Sequence, residues 1–248
     1  MRQHLNETYI RVIMSDFKES TLANIKSANL TQGSKPKFNI ITTQEDTTPF
    51  QRRLISTGKD LGIEVNVINA VFTECTDEMA NTPFIYETPF KFFDAKAEYL
   101  TLPDDFDVET TQHPMSACAT AIKRIASEYC VRYESPHVTI VGRGEAVRGL
   151  REALAHNDVT ISQCNHTTRI ETMRKLFELS DAVIWAVNDP KIKIPFYDPT
   201  SRGVFIDICG AYNADLICEC HSDLTYYSPS DIGKITASVI FYRASYIY

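Results

Sequence analysis

The chain has 248 residues, enough for one large domain or two small ones, and its 44% hydrophobic and 23% charged content is that of a globular protein with a real core. A formal net charge of −7 argues against a nucleic-acid-binding surface, and no apolar run approaches the roughly 18 residues that a membrane span needs. Seven cysteines, an odd number with no framework spacing, read as reduced thiols of an intracellular protein, in the cytoplasm or the mitochondrial matrix.

Residues 1–28 read as a helix with Tyr9, Val12, Ile13, Phe17, Leu22 and Ile25 on its apolar face. The stretch has no signal-peptide core, and Glu7, Asp16 and Glu19 do not suit a cleavable mitochondrial presequence. After a polar loop from Thr31 to Lys37, Phe38 to Thr42 is a strand. Thr48-Pro49 is a helix start, a capping side chain followed by proline at the first helical position. That helix runs through Phe50, Leu54 and Ile55 to Leu61, and Gly62 closes it. Ile63 to Ile68 alternates as a strand, residues 74–81 suit a short helix, and Phe84 to Tyr86 is another strand. Helix and strand in alternation favour a parallel α/β layer. Pro89 to Pro114 is irregular apart from a helical stretch, Asp94 to Leu100, and the acidic knot of Asp104, Asp105 and Asp107 reads as a solvated loop.

Ser116 to Arg132 is a helix with Ala117, Ile122, Ile125, Ala126 and Cys130 inward, broken by Ser135-Pro136. The stretch from Val138 to Cys164 then reads as strand, glycine turn, helix, strand. Val138, Ile140 and Val141 suit a buried parallel strand, and Gly142 and Gly144 follow where a tight turn brings backbone N–H groups near a ligand. Val147, Leu150, Leu154 and Ala155 recur at helical spacing, Asn157-Asp158 ends that helix, and Val159 to Ser162 starts the next strand. The dinucleotide fingerprint G-x-G-x-x-G wants its third glycine at Val147, and the next one comes at Gly149. Glycine turns of this kind also occur in α/β proteins that bind nothing.

Thr168 to Leu179 is a further helix and Asp181 to Val187 a strongly apolar strand, turned by Asn188-Asp189-Pro190. Gly203 to Cys209 and Leu216 to Cys220 read as strands, and Ser230 to Tyr246 as a last helix with Ile232, Ile235, Val239 and Ile240 on one face. Cys218-Glu219-Cys220-His221 lacks a second pair at zinc spacing, so no metal is expected. The sequons at Asn6, Asn29 and Asn165 are chance matches in a chain that is not secreted.

Taken in order, these stretches resemble the methylenetetrahydrofolate dehydrogenase/cyclohydrolase family. The family's cofactor loop, G-R-S-x-x-V-G-x-P, is similar to G-R-G-E-A-V-R-G-L from Gly142. Arg143 and Val147 match, while Arg148 and Leu150 replace the later glycine and the proline. A-D-[IL]-[VL]-[IV]-x-A-V-G-x-P resembles the run from Ser180 to Pro190, V-I-D-V-G the run from Phe205 to Cys209, and P-G-G-V-G-P-M-T the run from Pro229 to Thr236. The P-C-T-P helix start is echoed by Pro114 to Ala119.

The resemblance implies an α/β fold of two lobes. An N-terminal folate-type lobe takes residues 1–115 with 231–248, and a Rossmann-like lobe for NAD or NADP takes 116–230, bridged by the helices at 116–132 and 231–246. It implies cofactor binding by Gly142, Arg143, Gly144, Val147, Arg169 and Asp207, with Arg143 and Arg169 favouring a 2′-phosphate. It implies substrate binding by Phe50, Asp107, Pro229 and Gly233.

In the family a tyrosine stacks on folate, and a lysine four residues later on the same helix moves the cyclohydrolase proton. Those positions hold Phe50 and Leu54, and leucine moves no proton, so no catalytic residue is assigned. By the resemblance, Ser230, Asp231 and Lys234 add side chains where the family keeps room, the first two in place of glycines and Lys234 in place of a proline. The expectation is a catalytically degenerate member, a pseudoenzyme serving as a structural or interaction subunit of a larger assembly, a mitochondrial one included, with protein partners or a second copy. The tail Arg243 to Tyr248 is one contact surface, or else it packs on its own domain. The alternative is a monofunctional NAD(P)-dependent methylenetetrahydrofolate dehydrogenase without cyclohydrolase activity, since hydride transfer needs no acid or base.

Overall fold

The computed structural model describes residues 2–28, 35–42, 46–69, 82–87, 115–131, 134–155, 158–188, 203–210 and 224–246. The chain divides into two compact units. One is Met1–Arg11 with Thr110–Thr236, and the other is Val12–Glu109 with Ala237–Tyr248. Outside the described residues lie several expected features: the helices at 74–81 and Asp94 to Leu100, the acidic knot with Asp107, the strand from Leu216 to Cys220, and the cluster from Cys218 to His221.

The second unit is built on a three-stranded parallel sheet of order β2-β1-β3, from β1 (Lys37–Thr42), β2 (Glu64–Asn69) and β3 (Phe84–Glu87). Helix α2 (Pro49–Asp60) connects β1 to β2. Its start follows the sequence closely: Thr48 caps, Pro49 opens the first turn, and Gly62 at φ +73° follows the end. Gly58 lets the helix lie on the sheet, because a Cβ there would overlap Val65. Phe38, Ile40, Ile41 and Leu54 are fully buried, and the Phe38 ring meets Phe241 at 5.1 Å.

The strand expected from Ile63 to Ile68 is present as β2; Ile63 is buried just ahead of it, and Val67 within it is 42% exposed. Among the described residues β2 pairs with β1 alone and forms the edge of the sheet, which leaves one flank uncovered. In α1 (Arg2–Ser27) the buried stripe is Ile10, Ile13 and Thr21, and Val12 and Leu22 face solvent. Polar groups share that stripe. The Thr21 hydroxyl donates to the Phe17 carbonyl, and Asn24 donates to Ser245 at 2.9 Å; of the expected apolar face Ile13 is buried and Tyr9, Phe17 and Ile25 are half-buried.

The first unit carries a five-stranded, all-parallel sheet of order β5-β4-β6-β7-β8, from β4 (His137–Val141), β5 (Thr160–Cys164), β6 (Ala182–Trp185), β7 (Gly203–Asp207) and β8 (Leu224–Tyr227). This is a doubly wound order whose switch point lies between β4 and β6. Strands β6 and β7 are buried along their whole length, as expected for strands covered on both faces. Val141, Val183, Trp185, Phe205 and Leu224 share one face with Met173 and Phe177 of α5 (Ile170–Leu179). Helix α3 (Ala117–Cys130) packs on β6, β7 and α4 (Leu150–Ala155), and its Tyr129 ring meets the fully buried Tyr227 edge-on.

Strand β8 is absent from the sequence expectations. Leu224-Thr225-Tyr226-Tyr227 is four residues long with little apolar signal, and its pairing with β7 defines it. The expected helix from Val147 starts later. Glu145–Val147 forms a 3-10 turn, Gly149 adopts φ +75°, and α4 opens at Leu150. Helix α6 (Pro229–Ala244) does not bury a single face. Every residue from Ile235 to Phe241 is buried, with Ala237 and Ser238 small enough to let neighbours close in. Helix α3 lies whole in the first unit, whereas α1 and α6 have residues in both. No described helix is long and apolar enough to cross a membrane.

Candidate functional site

Because all five strands of the first unit run parallel, the residues just after each strand gather at one edge of the sheet, where open α/β sheets bind ligands. Gly142, Arg143, Gly144, Arg169, Asp207 and Pro229 all stand at or beside that edge. The turn after β4 is pinned. Gly142 has φ +118°, its N–H donates to the Cys164 carbonyl at 2.9 Å, and its own carbonyl accepts from Gln163 Nε2 at 3.0 Å. A Cβ on Gly142 would meet the Ala186 carbonyl oxygen at 2.8 Å, so only glycine fits against the end of β6.

Gly144 is different: no described residue lies within 4 Å of a Cβ built there, and Arg143 beside it is exposed. Among the described residues none covers the turn at Gly144, which suits an incoming group. Val147, expected among the cofactor residues, is 5% exposed. The glycine that packs the turn is Gly149, where a Cβ would come 2.8 Å from Met115 Cα. The Ser116 N–H donates to the Arg148 carbonyl at 3.2 Å, and the Ser116 hydroxyl caps α3 through the Ala119 N–H at 3.0 Å. Close approach is thus supplied two residues later than the fingerprint predicts. The cost falls on the helix, since α4 has only six residues and a weak dipole to offer a phosphate.

Beyond β5, Asn165 organises the loop. Its Oδ1 accepts from the Thr167 N–H at 2.9 Å and the Thr167 hydroxyl at 2.6 Å, and its N–H donates to Thr168 Oγ1 at 3.0 Å. Arg169 stands at the N-cap of α5, makes no side-chain capping bond, and is exposed.

Asp207, at the end of β7, is fully buried. Its Oδ1 accepts from the N–H groups of Cys209 and Gly210 at 3.0 and 2.9 Å, and its Oδ2 accepts from the Tyr226 hydroxyl at 3.0 Å. The carboxylate ties the loop after β7 to β8. Burial and the Asp207 charge push the neighbouring Cys209 thiol upward. Pro229 opens α6, with its ring 3.6 Å from where a Gly210 Cβ would lie, and Gly233 is half-buried one turn on.

A capping box at the start of α6 escaped the sequence analysis, although S-x-x-D was its signature. The Ser228 N–H and hydroxyl donate to Asp231 Oδ2 at 3.1 and 2.8 Å, and the Asp231 N–H returns to the Ser228 hydroxyl at 3.3 Å. Lys234 Nζ lies 3.4 Å from Asp231 Oδ1. Side chains therefore satisfy the first turn of this helix from within.

Phe50 and Leu54 belong to the other unit. Phe50 is half-buried in the first turn of α2, and Leu54 is fully buried. Between them Gln51, also fully buried, closes a second capping box, accepting from the Thr48 N–H at 3.1 Å. Asp107 lies outside the described residues. Among the described residues no cluster of three His, Cys, Asp or Glu is placed to hold a metal ion. Burial raises the Cys130 thiol to about 11, with the Asp181 charge adding to the effect, and burial also raises Cys164.

No family model matches the chain, and no curated protein matches it. Solved structures do. The bifunctional methylenetetrahydrofolate dehydrogenase/cyclohydrolase from Thermoplasma acidophilum superposes with a TM-score of 0.66 at 22% identity, over 95% of each chain. The NAD-dependent 5,10-methylenetetrahydrofolate dehydrogenase from Saccharomyces cerevisiae gives 0.68 at 15% identity, over 96% of this chain and 95% of its own. The Trypanosoma brucei dehydrogenase-cyclohydrolase, complexed with NADP and an inhibitor, gives 0.67 at 15% identity, over 97% and 94%. Over nearly its whole length, then, this chain has the α/β fold of the methylenetetrahydrofolate dehydrogenase/cyclohydrolase structures, and what it shares with them at these identities is the fold.

Proposed function

We propose that the chain is a catalytically degenerate protein of methylenetetrahydrofolate dehydrogenase/cyclohydrolase fold that serves as a structural or interaction subunit of a larger assembly. The observation that carries this reading is Leu54. By the resemblance it stands where the family carries its proton-moving lysine, and it is a fully buried residue of α2. A buried leucine neither takes nor gives a proton, and no acid–base group is substituted for it on that turn of the helix. The self-capped start of α6 supports the same reading, because by the resemblance Ser230 and Asp231 stand where glycines allow close backbone approach, and Asp231 is engaged by Ser228 and Lys234. The test has two arms. Purified protein is assayed for methenyltetrahydrofolate hydrolysis and for NAD(P)-dependent oxidation of methylenetetrahydrofolate, and tagged protein is isolated from its own cells under native conditions. Turnover in either assay sinks the proposal, as does a chain that migrates without partners.

A second reading has its own support. The turn at Gly142–Gly144 is sterically intact, with no described residue against a Cβ at Gly144 and with Arg143 exposed. In a monofunctional dehydrogenase, Gly142, Arg143, Gly144 and Arg169 would hold the nucleotide. Bound NAD⁺ or NADP⁺ would supply the hydride acceptor, with the two guanidinium groups favouring a 2′-phosphate. Thermal shift against NAD⁺ and NADP⁺, with and without a folate analogue, discriminates. Ligand at a hundredfold excess over its dissociation constant adds about 2.7 kcal/mol of stability. A shift that grows with the folate analogue favours the dehydrogenase, and no shift at millimolar nucleotide removes it.

A further inference from the structure

We draw no further inference here: the strongest candidate, the partly exposed apolar side chains of Ile55 on α2 and Val67 on the edge strand β2, carries nothing because nothing in the structure shows what covers them.

Discussion

Tyr226 donates its hydroxyl hydrogen to Oδ2 of Asp207 at 3.0 Å, while Oδ1 of the same carboxylate takes two backbone N–H groups of the loop that follows β7. One buried side chain therefore joins the end of β7 to the neighbouring edge strand. Replacing Asp207 with Ala would leave those donors without their acceptor, at a cost of about 1–3 kcal/mol or more. Tyr226→Phe removes one bond and should cost about 1 kcal/mol. Urea denaturation of the two single variants and the double variant measures the coupling. Additive effects would mean that the bond contributes nothing of its own.

The glycines of the turn after β4 are expected to separate into two kinds. Gly142→Ala and Gly149→Ala force a Cβ to within 2.8 Å of neighbouring backbone at positive φ, and each should lose stability, by roughly 1–3 kcal/mol. Gly144→Ala meets no described residue within 4 Å and should stay within about 0.5 kcal/mol of the parent. Gly144→Leu is then the informative variant. If a nucleotide lies over this turn, its affinity falls while the melting temperature without ligand is unchanged.

At Leu54, truncation to alanine should cost about 2–5 kcal/mol, as for other fully buried leucines. Introducing a lysine there should be worse, because the amine enters a packed core with no described anion beside it. Equilibrium unfolding of the two variants provides the comparison. A Leu54→Lys protein as stable as the parent would show that this position has access to water, and the argument from burial in favour of a lost site would fall with it.

Cys130 supplies a prediction in pH. Its thiol is raised from 9.0 to about 11 in the folded chain, chiefly because burial penalises the thiolate. The unfolded chain releases that proton first, so stability is full below about pH 9 and falls as the pH rises toward 11, by roughly 2–3 kcal/mol for the two-unit shift. Unfolding free energies at pH 8 and pH 10.5, compared between the parent and Cys130→Ala, isolate this contribution. An equal pH slope in both would assign the loss to other groups. At pH 8 the folded protein's Cys130 should also resist thiol reagents.

Much of the fold was legible because local chemistry spelled it out. Thr48-Pro49 and Gly62 bracket α2 through steric and capping rules that act within a few residues. The apolar runs at Val138–Val141, Ala182–Trp185 and Val204–Ile206 mark strands covered on both faces, which need no partner to be recognised. Less legible were elements defined by their neighbours. Strand β8 exists through its ladder with β7, and the buried side of α1 includes Thr21 and Asn24 because their polar groups are satisfied there. Of the residues expected to form the site, Gly142, Arg143, Gly144, Arg169, Asp207 and Pro229 reach or border one sheet edge, while Val147 went to the core and Gly149 took over the close packing.

The sequence by itself determined the parallel α/β class and the order of the strands' apolar runs, since these depend on residue identity and short-range periodicity. Tertiary structure decided which side chains are committed. Whether Asp207 is open to a ligand or spent on two N–H groups and Tyr226 depends on residues as far as 19 positions away. Hydrogen bonds and steric exclusion act over ångströms in space, and only the folded chain brings such distant residues within that reach.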